Sequence, residues 1–230
     1  KKNYIFVFDA FGDGINYSEW MFKKDDLNLL KQEESYPNYP HLWEIISRTV
    51  YGEDRKDVVK KLNGYFPSKG PGKIMALAAK TKPDINLMKN LSKLLNDKKI
   101  YKIEINNQNL LKAKIYNYIG LKRKKYKWNS IELINIASSL QQLTNEFIYN
   151  KISNNKFKNI SFAGGLALNC VATSYASNKT EKKVFVPPFP GDSGISVGAA
   201  YLGKAKYDKE NLIKKFFIKK TEKSLFSPYI

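Results

Sequence analysis

From Tyr4 to Phe8 every side chain is apolar or aromatic; the pattern stops at Gly12-Asp13-Gly14 and resumes over residues 15–22. An unbroken apolar run of this length predicts a strand buried on both faces, and the glycine turn predicts a β-hairpin. Over residues 42–50 the period changes. Leu42, Ile45, Ile46 and Val50 follow helical spacing, with Gly52 placed to end the helix. Gly70-Pro71-Gly72 reads as a turn, followed by a small, apolar, helix-prone stretch over residues 74–79. Asn129-x-x-Glu132 resembles a capping arrangement, and Ile131, Ile134, Leu140, Leu143 and Phe147 extend one long helix through Ile152.

After that helix the order strand, glycine turn, helix occurs twice. A strand is expected near residues 160–163, a turn at Gly164-Gly165 and a helix around 166–176; then a strand near 183–186, a glycine-rich turn and a helix near 193–202. Such alternation predicts an α/β fold with ligands at the carboxyl ends of its strands. The Lys- and Asn-rich stretch over residues 86–125 reads as a peripheral, polar insertion with small helices of its own.

Composition narrows the class. A chain of 230 residues that is 43% hydrophobic can fill one large domain or two lobes around a cleft. No apolar run approaches the ~20 residues of a membrane span, and no secretory leader pattern opens the chain, so a cytoplasmic protein is expected. Cys170 is the single cysteine, which excludes an internal disulfide and a thiolate metal cluster. The formal charge of +19 would favour nucleic acid or an anionic membrane. Yet only Arg48, Arg55 and Arg123 are arginine, and the basic runs at 122–127 and 214–220 read as solvated faces, so neither partner is expected. The start at Lys1 and the apolar end at Ile230 read as a fold incomplete at both ends.

Four segments carry candidate chemistry. In Phe8-Asp9-Ala10-Phe11-Gly12-Asp13-Gly14 a carboxylate ends a buried strand beside a glycine turn, so Asp9 with the backbone at Gly12 and Gly14 could hold a metal or a phosphate; a plain hairpin reads equally well. Gly70-Pro71-Gly72-Lys73 lacks the spacing of a P-loop, but Lys73 at a helix start could reach an anion; a solvated surface lysine is the simpler reading. In the segment Phe162-Ala163-Gly164-Gly165-Leu166-Ala167-Leu168-Asn169 the glycines allow close approach of a nucleotide or, equally, of helix to strand, and Asn169 offers a polar contact about one turn in. Cys170 beside it reads as a small core residue. In Pro187-Pro188-Phe189-Pro190-Gly191-Asp192-Ser193-Gly194 the carboxylate of Asp192 could cap the next helix or ligate a cation.

Together these segments resemble the nodulation-protein and antibiotic-type O-carbamoyltransferases, whose N-terminal domain is similar to the tRNA threonylcarbamoyltransferase and has the actin-like ATPase (ribonuclease H-like) fold. The strings that carry the resemblance are Asp9 to Gly14, Gly72-Lys73-Ile74-Met75-Ala76-Leu77-Ala78, Ala163 to Asn169, and Pro187 to Gly194 followed by Gly198-Ala199-Ala200. The resemblance implies a partial N-terminal domain over residues 1–230, two lobes around a nucleotide cleft, without the C-terminal domain that makes carbamoyl-adenylate from carbamoyl phosphate and ATP. It further implies transfer of the carbamoyl group to a small-molecule hydroxyl acceptor. Asp9 and Asp192 would be catalytic as ligands of a divalent metal, iron being the expected one; Gly12, Gly14, Gly164, Gly165 and Asn169 would bind the adenylate, with Lys73 near its phosphate.

One departure limits the expectation. The family's remaining metal ligands are paired histidines upstream of the first aspartate, whereas the single histidine here, His41, lies downstream and reads as the start of a helix. The isolated chain is therefore expected to have little transferase activity. A threonylcarbamoyl-type tRNA-modifying enzyme, a non-catalytic nucleotide-binding module and a sugar kinase of the same fold are the alternatives; acceptor and oligomeric state are open.

Overall fold

A computed structural model of the chain describes residues 2–10, 14–23, 26–34, 37–51, 70–100, 108–124 and 126–207. A mixed five-stranded sheet organises them, with spatial order β3-β2-β1-β4-β5. β1 (Asn3–Phe8) and β2 (Tyr17–Lys23) form the expected antiparallel hairpin, and β3 (Asp26–Glu33) adds a further antiparallel strand that the sequence pattern did not reveal. On the other side β1 pairs in parallel with β4 (Asn159–Ala163), and β4 with β5 (Lys183–Phe185).

β1 is not buried on both faces. Tyr4, Phe6 and Phe8 are buried while the alternate residues Asn3, Ile5 and Val7 are only half-buried. The period of two in side-chain direction separates a covered face from a partly open one. The covered face meets α5 (Ile131–Ser153), where Phe8 packs against Phe147 in an edge-on contact with centroids 5.2 Å apart, and against Tyr17 and Phe162 at 4.7 and 5.8 Å. α5 starts at Ser130, whose hydroxyl accepts from the Leu133 amide; the expected capping arrangement is thus displaced by one residue.

Around α5 lie α1 (Tyr39–Val50), α2 (Gly70–Ala78) and α3 (Ile85–Asn96), with α4 (Gln108–Ile119) packed on α3 and α1. α1 begins three residues earlier than the apolar pattern indicated, because Asn38 caps it and Pro40 stands in its first turn; Gly52 lies outside the described residues. Its Trp43 indole donates to the Thr144 hydroxyl of α5 at 3.0 Å. Gly70-Pro71-Gly72 is not a turn but the first turn of α2, held by burial of Ile74 and Leu77. Nor is the stretch after residue 86 peripheral: Leu91, Leu94 and Leu95 of α3 and Leu111 and Ile115 of α4 belong to the main core. Among the described residues no helix is long and apolar enough to cross a membrane.

The turn into β5 is fastened to the end of α5 by one side chain. The Lys182 ammonium donates to the carbonyls of Ile152 at 2.6 Å, Ser153 at 3.2 Å and Asn155. The first two lie in the last turn of the helix, where carbonyls lack a full set of intrahelical donors, and the third lies two residues beyond it. Lys182→Met keeps the apolar stem and removes the donors; it is expected to cost about 2 kcal/mol, the scale of charge-assisted hydrogen bonds, read as a lower urea midpoint at unchanged slope.

Candidate active site

The sheet register sets the site. Val7 of β1 lies opposite Ala163 of β4 in a parallel pair, so the residues after each strand leave the sheet side by side. Asp9 is the first residue past β1. Its amide donates to the Asn16 carbonyl at 3.1 Å and its carboxylate accepts from the Ala10 amide at 2.6 Å. Asn38 braces the same loop: its amide nitrogen donates to the Ala10 carbonyl at 2.6 Å while its oxygen accepts from the His41 amide at 3.0 Å.

Gly164 follows β4 with φ +86°, a conformation that L side chains rarely adopt. A Cβ there would lie 2.1 Å from the Phe8 carbonyl oxygen, so this glycine is required by the approach of the two strand ends. Its amide donates to the Pro190 carbonyl at 2.7 Å, which brings the proline-rich loop over the end of β4. At Gly165 a Cβ would meet the Asp9 carboxylate at 3.6 Å, an ordinary contact. Three of the four sequence segments therefore meet at one edge of the sheet.

Electrostatics place Asp192 there as well. The Asp9 carboxyl is held above the usual carboxylate range, chiefly by burial; the Ala10 hydrogen bond opposes this, and the negative charge of Asp192 adds to it. A charge that acts on the Asp9 carboxyl in this way belongs to its surroundings. Asp192 is exposed and immediately precedes α7 (Ser193–Tyr207). Among the described residues its carboxylate takes no hydrogen bond from that helix, which leaves the cap reading without support.

The other sequence candidates have separate positions. Asn169 is not inside a helix but at the junction between a 3-10 turn (Gly165–Leu168) and α6 (Cys170–Asn178), where it caps α6 by accepting from the Ala172 amide at 3.0 Å. It is buried and exchanges two amide hydrogen bonds with Gln141 of α5, at 3.0 and 3.2 Å. Gln141 also donates to Asn145 at 2.7 Å. Lys73 is exposed on α2, with its ammonium 5.5 Å from the Trp128 ring centroid. Gly14 is exposed at φ +82°, and Gly12 lies outside the described residues. His41 is fully buried in the first turn of α1. Cys170 is exposed rather than a core residue, because it occupies the outer side of the first turn of α6.

Sequence reasoning missed Asn38, Gln141 and Asn145. Asn38 had a readable signal, an asparagine two residues before Pro40 at a helix start; the two others sit inside α5 and acquire their role only when α6 packs against it.

The donor set tests the metal expectation. Asp9 and Asp192 offer hard oxygen ligands, and among the described residues no group of three His, Cys, Asp or Glu could hold a metal ion. That set does not make a complete iron centre, for which imidazole is the characteristic additional donor. It does leave a carboxylate in tension. Asp9 binds its proton more tightly when folded, so its contribution to stability is present below the unfolded pKa and lost as pH rises through the folded one. Asp9→Asn is therefore expected to raise Tm at pH 7, with the gain fading as pH falls through the raised folded pKa and gone below about 3.9, the unfolded value, measured by thermal unfolding across that range.

Comparison with known proteins identifies the framework. Two uncharacterized proteins of Methanocaldococcus jannaschii are similar: one is 28% identical over 214 residues, covering 88% of this chain and 33% of that protein. The other is 24% identical over 232 residues, covering 94% of this chain and 40% of that protein. The chain thus spans between a third and two fifths of the length of these curated relatives. Residues 1–201, which contain every element built above up to the middle of α7, match the model of the carbamoyltransferase N-terminus, and the chain belongs to that family.

Proposed function

We propose that this chain is the carbamoyl-transfer half-site of an ATP-dependent O-carbamoyltransferase that moves a carbamoyl group from carbamoyl-adenylate to the hydroxyl of a small molecule. The observation that carries the reading is the meeting of Asp9, Gly164, Gly165 and Asp192 at the carboxyl ends of two parallel strands, where α/β folds bind ligands. The mixed sheet flanked by helices is read as part of an actin-like ATPase fold. Its donor would arise from carbamoyl phosphate and ATP in a separate adenylate-forming domain.

In the transfer step the acceptor oxygen bonds to the carbamoyl carbon and the carbon–oxygen bond to AMP breaks. The acceptor hydroxyl must lose its proton. Asp9, a carboxylate whose proton affinity is raised chiefly by burial and further by the charge of Asp192, would accept that proton. The two carboxylates also provide oxygen ligands for a divalent cation, but no step is assigned to a metal because the described donor set is incomplete. Gly165 leaves room beside Asp9 for a bound group, whereas Gly164 is occupied by its packing on Phe8. Asn169 retains one amide hydrogen for an adenylate after its bonds to Gln141 and Ala172. Lys73, near Trp128, would serve the phosphate only at the margin of the site.

The charge of +19 favours one competing acceptor, a tRNA. Radiolabelled carbamoyl phosphate, ATP, a cell extract's small-molecule fraction and bulk tRNA, incubated with this chain and in parallel with the longer Methanocaldococcus relatives, separate the readings. Label is expected in a hydroxyl-bearing small molecule with the longer proteins. Label in tRNA would move the assignment to the tRNA-modifying branch; sugar-stimulated ATP hydrolysis that ignores carbamoyl phosphate would replace it with a kinase.

A further inference from the structure

Where the end of α5 crosses the β1–β2 hairpin, the sheet carries a set of polar groups that the Asp9 edge does not use. Tyr17 and Glu19 are two apart on β2 and so share a side, with Phe8 and Phe6 of β1 opposite them in register. The phenols of Tyr17 and Tyr4 both donate to the Glu19 carboxylate. Lys151, in the last turn of α5, reaches the same group: its Nζ lies 3.3 Å from the Tyr17 hydroxyl oxygen and 4.8 Å from the ring centroid. Lysine, tyrosine and glutamate thus form one hydrogen-bonded chain.

A lysine at a helix end ordinarily carries its charge out to water, and an aromatic face beside it favours the charged form. Lys151 departs from that pattern. Its amine is half-buried, and burial lowers its proton affinity; Glu19 and Glu33 oppose the effect, Lys31 adds to it, and burial prevails. A desolvated amine beside a proton-transferring group is the arrangement in which lysine acts as a nucleophile toward carbonyl carbon. Lys182 marks the contrast, since burial lowers its proton affinity too, but three carbonyls at the end of α5 hold its ammonium.

Space for a reactant adjoins the chain of groups. Glu19 and Lys151 line a cavity of about 560 Å³, within the range of small-molecule sites. Phe6, Tyr39 and Phe147 give it an apolar wall, and exposed Glu146, Asn150 and Asn154 supply polar groups. Carboxamides and carboxylates suit hydroxyl groups, while the charges of Glu19 and Glu146 disfavour a phosphorylated or carboxylated compound. None of the lining residues belongs to the edge where Asp9 and Asp192 meet.

We propose that Lys151 captures a small, neutral, hydroxylated carbonyl compound as an imine in this cavity, an activity separate from carbamoyl transfer. The amine nitrogen bonds to the carbonyl carbon, and the carbonyl oxygen departs as water with the two protons of the neutral amine, leaving a carbon–nitrogen double bond. Tyr17 stands where it can pass a proton to that oxygen, and Glu19 accepts from the same phenol behind it.

Reductive trapping tests this on the chain itself. With glyceraldehyde and cyanoborohydride at pH 7, followed by peptide mass mapping, Lys151 is expected to label about 10-fold faster than exposed Lys80 and Lys93, at a rate that saturates with glyceraldehyde as a binding cavity requires. Labelling of Lys151 at the rate of the exposed lysines would overturn the proposal, as would a rate that stays linear in glyceraldehyde. Equal speed at Lys182 would overturn it by showing that burial alone sets the reactivity. Glyceraldehyde 3-phosphate should react more slowly at Lys151 than glyceraldehyde, and the reverse order would overturn the neutral substrate class. Tyr17→Phe keeps the ring against Phe8 and removes the hydroxyl; it should slow Lys151 by about 10-fold while leaving Lys80 and Lys93 unchanged, and an unaltered rate at Lys151 would overturn the role given to the phenol.

Discussion

Gly164→Ala is expected to leave a chain that is largely unfolded or barely stable at 25 °C. Two costs coincide at this residue. With φ +86° and ψ 175° the backbone lies in a region populated essentially by glycine, which costs any other residue about 1–3 kcal/mol. The added methyl would also stand 2.1 Å from the Phe8 carbonyl oxygen and 2.6 Å from its carbon, which is main chain rather than a side chain able to turn aside. Relief requires β1 and β4 to separate where both cross the aromatic core, and Gly164 to release the Pro190 carbonyl. The sum is about 4 kcal/mol or more, a large share of the roughly 5–15 kcal/mol that ordinary domains have.

Gly165→Ala is the control, because its Cβ would make only a 3.6 Å contact with Asp9 and it begins a helical turn. Its urea midpoint should stay within about 0.5 kcal/mol of the parent. Equal midpoints for the two variants would show that the strand ends are not as close as described. The pair also separates two meanings of a Gly-Gly turn: the first glycine is consumed by the fold, and only the second has room to serve a ligand.

This division explains what was legible in the sequence. β1, β2, β4 and β5 and the helices α1, α5 and α7 were readable because period and punctuation agreed locally. β3 was not. Its sequence, Asp26-Leu27-Asn28-Leu29-Leu30-Lys31-Gln32-Glu33, alternates only partly and leaves Leu27, Leu29 and Leu30 exposed, so its conformation comes from pairing with β2 rather than from its own pattern. Gly70-Pro71-Gly72 carried turn signals that tertiary packing overrode: proline is tolerated in a first helical turn, and Ile74 is fully buried one turn later. The Lys- and Asn-rich stretch hid core leucines because its polar residues face water on the outer sides of α3 and α4.

The site divides in the same way. Asp9, Gly164, Gly165 and Asp192 were picked from glycine- and carboxylate-bearing segments and from the family resemblance, and the parallel pairing of β1 with β4 is what brings Asp9 beside the two glycines. Gln141 and Asn145 were invisible because a polar side chain inside a long helix reads as solvated until another helix packs on it. Asn169 was singled out for a polar contact with an adenylate, whereas its two bonds to Gln141 and its cap on α6 show a joint between helices.

Asp192→Asn is expected to lower carbamoyl transfer by about 10²–10³-fold in the full-length family protein that contains this unit, the scale on which removing one preorganised electrostatic partner acts. The substitution keeps shape and removes charge. Asp192 is exposed and, among the described residues, its carboxylate takes no hydrogen bond from α7, so stability should change by less than about 0.5 kcal/mol. Asp9→Asn should lower transfer to a similar degree while raising Tm. Loss of activity with gain of stability separates a working carboxylate from a structural one. If the two act as one unit on the reacting atoms, the double variant should be little worse than either single one. Multiplying losses would instead mean independent roles, and unchanged kcat/KM in Asp192→Asn would remove it from the site. The pH profile supplies an independent check: relieving Asp9 of the Asp192 charge lowers its proton affinity, so the acidic limb of kcat/KM in Asp192→Asn should move to lower pH. A substitution that acted only by loosening the start of α7 would reduce the rate without moving that limb.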